Sequence, residues 1–167
     1  MKNYLFFLSK HATIITLLTY IFGMVFSMIL FLILNLDFGE ITFSNDIGSS
    51  IDIFIHNTKV QLIIIIGALF LGIPTTILLF INGFAIGMTL AQAYISGDLS
   101  KLLLHLLPHG IFEIPGFLLV AILSYQLLNI FLNGNILRNF IKFLKQKKYL
   151  FLLSLILTMI AAIIEGL

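Results

Sequence analysis

Residues 12–36 read ATIITLLTYIFGMVFSMILFLILNL, twenty-five positions without a single charged side chain. As a helix rising 1.5 Å per residue this stretch reaches about 37 Å, more than the ~30 Å hydrocarbon core of a bilayer. Lys2 and Lys10 precede it, as they would in a secretory signal. The apolar run nevertheless exceeds the ~7–15 residues of a signal-peptide core and lacks a small-x-small cleavage site. It reads as a retained first transmembrane helix.

The rest of the chain repeats the pattern. Apolar stretches follow at 60–81, 84–96, 111–132 and 149–164. Of the 167 residues 60% are hydrophobic and 10% charged, and the mean hydropathy is +1.17. A soluble domain of this size cannot cover that much apolar surface with so few polar side chains. The expected fold is therefore an all-α membrane protein, a single domain over residues 1–167. It is a bundle of about five transmembrane helices with a kinked second helix and a short third segment. No cysteine is present, which excludes disulfides, thiolate metal sites and thiol catalysis.

Local signals place the breaks. Ser44-Asn45-Asp46 is a helix cap in sequence, and Ile47, Ile51, Phe54 and Ile55 follow at helical spacing. This predicts a short interfacial helix before the second span. Pro74 lies within 60–81 and is expected to kink that helix, aided by Gly72. Asn82-Gly83 favours a tight reversal, leaving 84–96 short for a span. Pro108-His109-Gly110 is expected to open the fourth helix, since Pro is accepted in a first turn. The segment before the last span is basic, with Arg138, Lys142, Lys145, Lys147 and Lys148 interleaved with Phe140, Ile141, Phe143 and Leu144. It suits an anionic cytoplasmic leaflet. With five spans, Lys2, Lys10 and the five cations of this segment share one side, and Asp37, Glu40, Asp46, Asp52 and Asp98 the other. The positive-inside rule then predicts a multi-pass cell-membrane protein with a cytoplasmic N-terminus and an extracytoplasmic C-terminus.

Two groups of residues carry the functional reading. Gly83, Gly87 and Ala91 recur at four-residue steps, a spacing that lets helices approach closely in lipid. Their bland reading is intramolecular packing, their sharper one a subunit interface or a substrate groove. His109 and Glu113 stand four apart, hence on one helix face, at the depth expected of Glu165. Ionisable groups at a membrane are costly unless paired or wet. A structural clamp, a binding or proton-linked site and a metal site are the alternatives. The clamp is favoured, and no metal is assigned. The candidate polar site is thus His109, Glu113, Asn82 and Glu165, with Gly83, Gly87, Gly72, Pro74, Pro108 and Gly110 as packing and turn residues. No hydrolase, phosphate-binding or dinucleotide motif is present in the sequence, so neither an enzyme nor a cofactor is expected. Nucleic-acid binding is not expected either.

Taken in order, several of these residues resemble a known family. Asn57 precedes the second span, Gly67, Gly72 and Thr75 lie within it, and Asn82 to Gly87 reads NGFAIG. Residues 108–114 read PHGIFEI, and Glu165 follows AAII near the end. Together they resemble the stage II sporulation protein M family of integral membrane proteins, over about residues 13 to 167. The resemblance implies a membrane scaffold that localises partner enzymes thinning septal peptidoglycan during sporulation. Other members accompany circular bacteriocin genes, which implies the alternative of peptide maturation, export or self-protection. The implied partners are the lipid bilayer, membrane or extracytoplasmic proteins and, in the alternative, a hydrophobic peptide; an oligomer is compatible with the small-residue faces.

Overall fold

The computed structural model describes residues 2–34, 49–132 and 136–166. Within them the chain is helical, with no strand. The helices are α1 (Lys2–Lys10), α2 (Ala12–Leu34), α3 (Ser50–Ile66), α4 (Ile73–Ser96), α5 (Leu99–Leu127) and α6 (Ile136–Glu165); 3₁₀ turns over Gly67–Phe70 and Leu128–Leu132 extend α3 and α5. Five of these segments are long and apolar enough to cross a membrane: Ala12–Leu34, Ser50–Phe70, Ile73–Ser96, Leu99–Ile130 and Ile136–Glu165.

Their faces are those expected when the solvent is lipid. On α2, Thr16 and Ser27 are fully buried while Leu18 and Phe22 are each 63% exposed. Most large apolar side chains of α2 turn outward, while its small residues, together with Tyr20 and Phe31, turn inward, because packing rather than water exclusion draws helices together in a bilayer. The inward face of α2 carries Thr16, Tyr20, Gly23 and Ser27, and that of α4 Leu79, Gly83, Gly87 and Ala91. A Cβ on Gly83 would strike the Tyr20 carbonyl, one on Gly87 the Met24 carbonyl and the Ser27 hydroxyl, and one on Gly23 the Phe80 carbonyl. Since 20 meets 83 and 24 meets 87, α2 and α4 run parallel at backbone contact.

The element boundaries depart from the sequence expectations in five places. Residues 50–66 form one continuous helix, not an interfacial helix followed by a span; its cap is Ser49, in a reciprocal capping box with Asp52. The cap expected at Ser44-Asn45-Asp46 lies outside the described residues. The stretch 60–81 is not one kinked helix. Leu71 (φ 58) and Gly72 (φ 80) take the left-handed conformation and end the 3₁₀ turn, and Pro74 sits in the first turn of α4. Residues 64 and 75 would be about 16 Å apart along an unbroken helix, yet the Thr75 hydroxyl donates to the Ile64 carbonyl at 2.8 Å. The chain folds back here.

Asn82-Gly83, expected as a reversal, lies inside α4, and the Asn82 amide donates to the Leu78 carbonyl of its own helix at 2.8 Å. The third segment is consequently a full 24 residues. Pro108 does not open a helix: α5 starts at Leu99 and passes through both Pro108 and Pro115. The basic segment is no separate loop but the first three turns of α6, which begins at Ile136 rather than near 149.

Side-chain hydrogen bonds tie the second half of the bundle together. Gln61 of α3 donates to Thr158 of α6. Thr75 and Ser124 are paired at 2.8 Å, and Thr76 and Tyr125 at 2.7 Å, joining α4 to α5. A Cβ on Gly116 of α5 would touch the Thr158 hydroxyl and the Ser154 carbonyl of α6 at 3.1 and 3.3 Å. Helix α5 thus runs antiparallel to α6, with Glu113 beside Glu165 and Gly116 beside Thr158 and Ser154. At the far end α1 lies against the Leu128–Leu132 turn, and the Ser9 hydroxyl donates to the Gln126 carbonyl at 3.5 Å.

Candidate functional site

Glu165 is the last residue of α6, and fifty-two positions separate it from Glu113. The antiparallel packing of α5 and α6 brings the two together, and His109 joins them from one turn earlier on α5. One ligand atom from each of His109, Glu113 and Glu165 lies within 4.8 Å of the other two. Spacing alone explains the His109–Glu113 pairing, because residues four apart share a helix face. Only the tertiary fold explains Glu165.

Two of the trio border a cleft of about 400 Å³, lined by Asp52, Ile53, His56, Asn57, Glu113 and Glu165. It opens where α3 begins and α6 ends. The two ends meet closely, since a Cβ on Gly166 would strike Ser50. Asp52 and His56 are exposed at the rim, Glu113 and Glu165 are half-buried, and Asn57 and His109 are 8% exposed. The His109 ring meets that of His105 edge-on, with centroids 6.1 Å apart. An unbroken α5, continuous through Pro108, permits this pairing. The Tyr20 phenol of α2 lies within electrostatic reach of Glu113.

The cluster is recessed. Sequence placed His109 and Glu113 in the first turn of a helix near the outer surface. In the structure fourteen residues of α5 precede Glu113, so the helix continues about 21 Å past it. The trio is therefore level with the ends of α3 and α6 but about half-way along α5, which among the described residues leaves a step in the bundle with a polar floor. Neither Glu113 nor Glu165 forms an ion pair with Lys or Arg among the described residues. Two carboxylates this close repel unless a proton or a cation lies between them.

The remaining candidates lie elsewhere. Asn82 belongs neither to the trio nor to the cleft lining. Gly83 and Gly87 face α2, Gly72 and Pro74 form the α3–α4 turn, Pro108 is exposed on α5, and Gly110 is buried with only Ile114 and Leu106 near its Cβ position, both at 3.9 Å. Asp52 and His56 were not singled out from sequence as site residues. Their four-residue spacing was the available signal, and it was hidden because 50–59 read as loop and interfacial helix rather than as the first turns of α3.

An uncharacterized protein of Methanocaldococcus jannaschii is 34% identical over 76 residues, which make up 45% of this chain and 43% of that relative. No solved structure matches. The stage II sporulation protein M family matches residues 12–167, which include every helix that can span a membrane and all three residues of the trio. The chain belongs to the stage II sporulation protein M family of membrane proteins.

Proposed function

We propose that the protein is a non-enzymatic membrane scaffold that recruits or stabilises partner proteins at the bilayer, with the stepped end of the bundle as its docking platform. The observation that carries this reading is the recess itself. Helices α3 and α6 stop level with a polar floor while α5 continues about 21 Å beyond Glu113. A polar segment of a partner fits such a step, meeting the exposed Asp52 and His56 first. The cleft lining supplies carboxylates, an imidazole and an amide for polar contacts with such a segment. The close α2–α4 contact gives the platform a stiff wall. The bacteriocin-related alternative draws no support from the fold or the family match.

In the orientation that belongs to this reading, the N-terminus is cytoplasmic and the recess extracytoplasmic. Helix α1, carrying Lys2 and Lys10, packs at the end where the basic start of α6 lies, and that end takes the cytoplasmic side by the positive-inside rule. A photo-crosslinking residue at position 56 tests the docking reading, with the lipid-exposed position 104 as control. The expected result is a discrete protein adduct from 56 in intact membranes that Asp52→Asn weakens. Lipid adducts alone from both positions would overturn it.

A further inference from the structure

We infer that His109, Glu113 and Glu165 form a binding site for a divalent first-row transition metal ion, which staples the end of α6 to the middle of α5. This does not depend on the scaffold reading. Three observations point the same way. The ligand atoms are already gathered, all within 4.8 Å of one another. Around an ion with bonds of about 2.1 Å, tetrahedral ligands sit about 3.4 Å apart. Side-chain torsions of the two glutamates can supply an inward movement of about 1 Å without moving a helix.

The second observation concerns His109. It is more than nine-tenths buried and has no hydrogen-bond partner among the described residues, although a buried imidazole is expected to have one. Its free ring nitrogen faces the two carboxylates. Third, those carboxylates have no Lys or Arg to neutralise them among the described residues, so a divalent cation would relieve their repulsion and complete the histidine at once.

One nitrogen and two carboxylate oxygens suit Zn²⁺ or Mn²⁺. Mg²⁺ and Ca²⁺ prefer oxygen alone, and Cu⁺ prefers sulfur. Three protein ligands leave a coordination position open, and two of them, Glu113 and Glu165, line the 400 Å³ cleft. Asp52, His56 and Asn57 line the same cleft. The spacing of His109 and Glu113 alone could not suggest this, because two ligands on one turn do not make a site; Glu165 supplies the third from another helix.

The test uses the full chain purified in detergent without a histidine tag, stripped with EDTA, loaded with ZnCl₂ and desalted. Elemental analysis should find about one zinc per chain, and the melting temperature should rise with Zn²⁺ and not with Mg²⁺. Glu165→Gln, at a helix end where it should leave the fold intact, is expected to weaken zinc binding by at least about tenfold. His109→Gln should do the same, and Asp98→Asn, outside the cleft, should change nothing. Co²⁺ in place of zinc should give a visible absorption band that Glu165→Gln alters. Zinc retained well below one per chain by the unmodified protein would overturn the inference. So would retention unchanged in a folded Glu165→Gln variant, or a loss equally large in Asp98→Asn.

Discussion

Gly87 and Thr158 show how single residues act in this bundle. The Cβ that Gly87 lacks would occupy the place of the Met24 carbonyl and the Ser27 hydroxyl, so any larger side chain must separate α2 from α4. Gly87→Leu is expected to destabilise the folded state by at least about 1–3 kcal/mol, the usual penalty of overpacking. Ile81→Leu, on the exposed side of the same helix, should lie within about 0.5 kcal/mol of the parent. Detergent-solubilised thermal or SDS unfolding distinguishes the two, and equal mild effects would count against backbone contact between the helices. The Gln61–Thr158 pair yields a directional prediction. Thr158 also donates to the Ser154 carbonyl at 2.9 Å, so Gln61→Leu leaves it partnered and should cost no more than about 0.6–1.7 kcal/mol. Thr158→Val strands the amide of Gln61, which is 4% exposed, and should cost more, about 1–3 kcal/mol. The double variant should recover part of that loss.

At the scale of elements, the turn between α3 and α4 is the most consequential feature. Its two left-handed residues reverse the chain, and the Thr75 bond to Ile64 closes it. Gly72 has φ 80, and a Cβ there would also press on the Tyr125 ring at 3.1 Å. Gly72→Ala is therefore expected to destabilise by about 1–2 kcal/mol from backbone conformation alone, with the ring contact adding to it. Leu71 has φ 58 without a glycine's freedom, so Leu71→Gly should be neutral or stabilising in the same unfolding assay. A reversed order of these two effects would mean that the turn is held differently. Helix α5 shows the opposite behaviour, since two prolines fail to break it. In a bilayer an interrupted helix must satisfy its freed carbonyls from within the protein.

For the whole molecule, five helices long and apolar enough to cross a membrane would leave the termini on opposite sides, in the direction proposed from the positive-inside rule. Helix α1 with its lysines and the basic first turns of α6 gather at one end, the trio toward the other. A phosphatase fused after Leu167 should be active outside the cell, while one inserted near Gln146 should be inactive. The reverse pattern would turn the recess to the cytoplasm and overturn the orientation. The bundle itself divides into two parts. The α2–α4 pair meets backbone to backbone through glycines, whereas α3, α5 and α6 meet through polar side chains and enclose the cleft. A close-packed wall beside a polar cleft is the arrangement on which the proposed docking and the proposed metal site both draw.

Much of this was legible in the residues themselves. An uncharged run such as 12–36 has no stable solution except a helix in lipid, because every backbone group must bond internally there; the membrane class and the number of spans follow. The four-residue spacing of Gly83, Gly87 and Ala91 marked a face, and that of His109 and Glu113 another. What the residues left ambiguous was where helices stop. Gly, Pro and Asn-Gly pairs signal turns where water can satisfy the exposed backbone, but in a bilayer the same residues sit inside helices, as Asn82-Gly83 and Pro108 do, or make a true reversal, as Leu71-Gly72 does. Neighbouring helices decide between these outcomes, and no local window contains them. The approach of Glu165 to His109 and Glu113 is likewise a tertiary result. Fifty-two positions separate the two carboxylates, and only the antiparallel register of α5 and α6 brings them within reach of one ion.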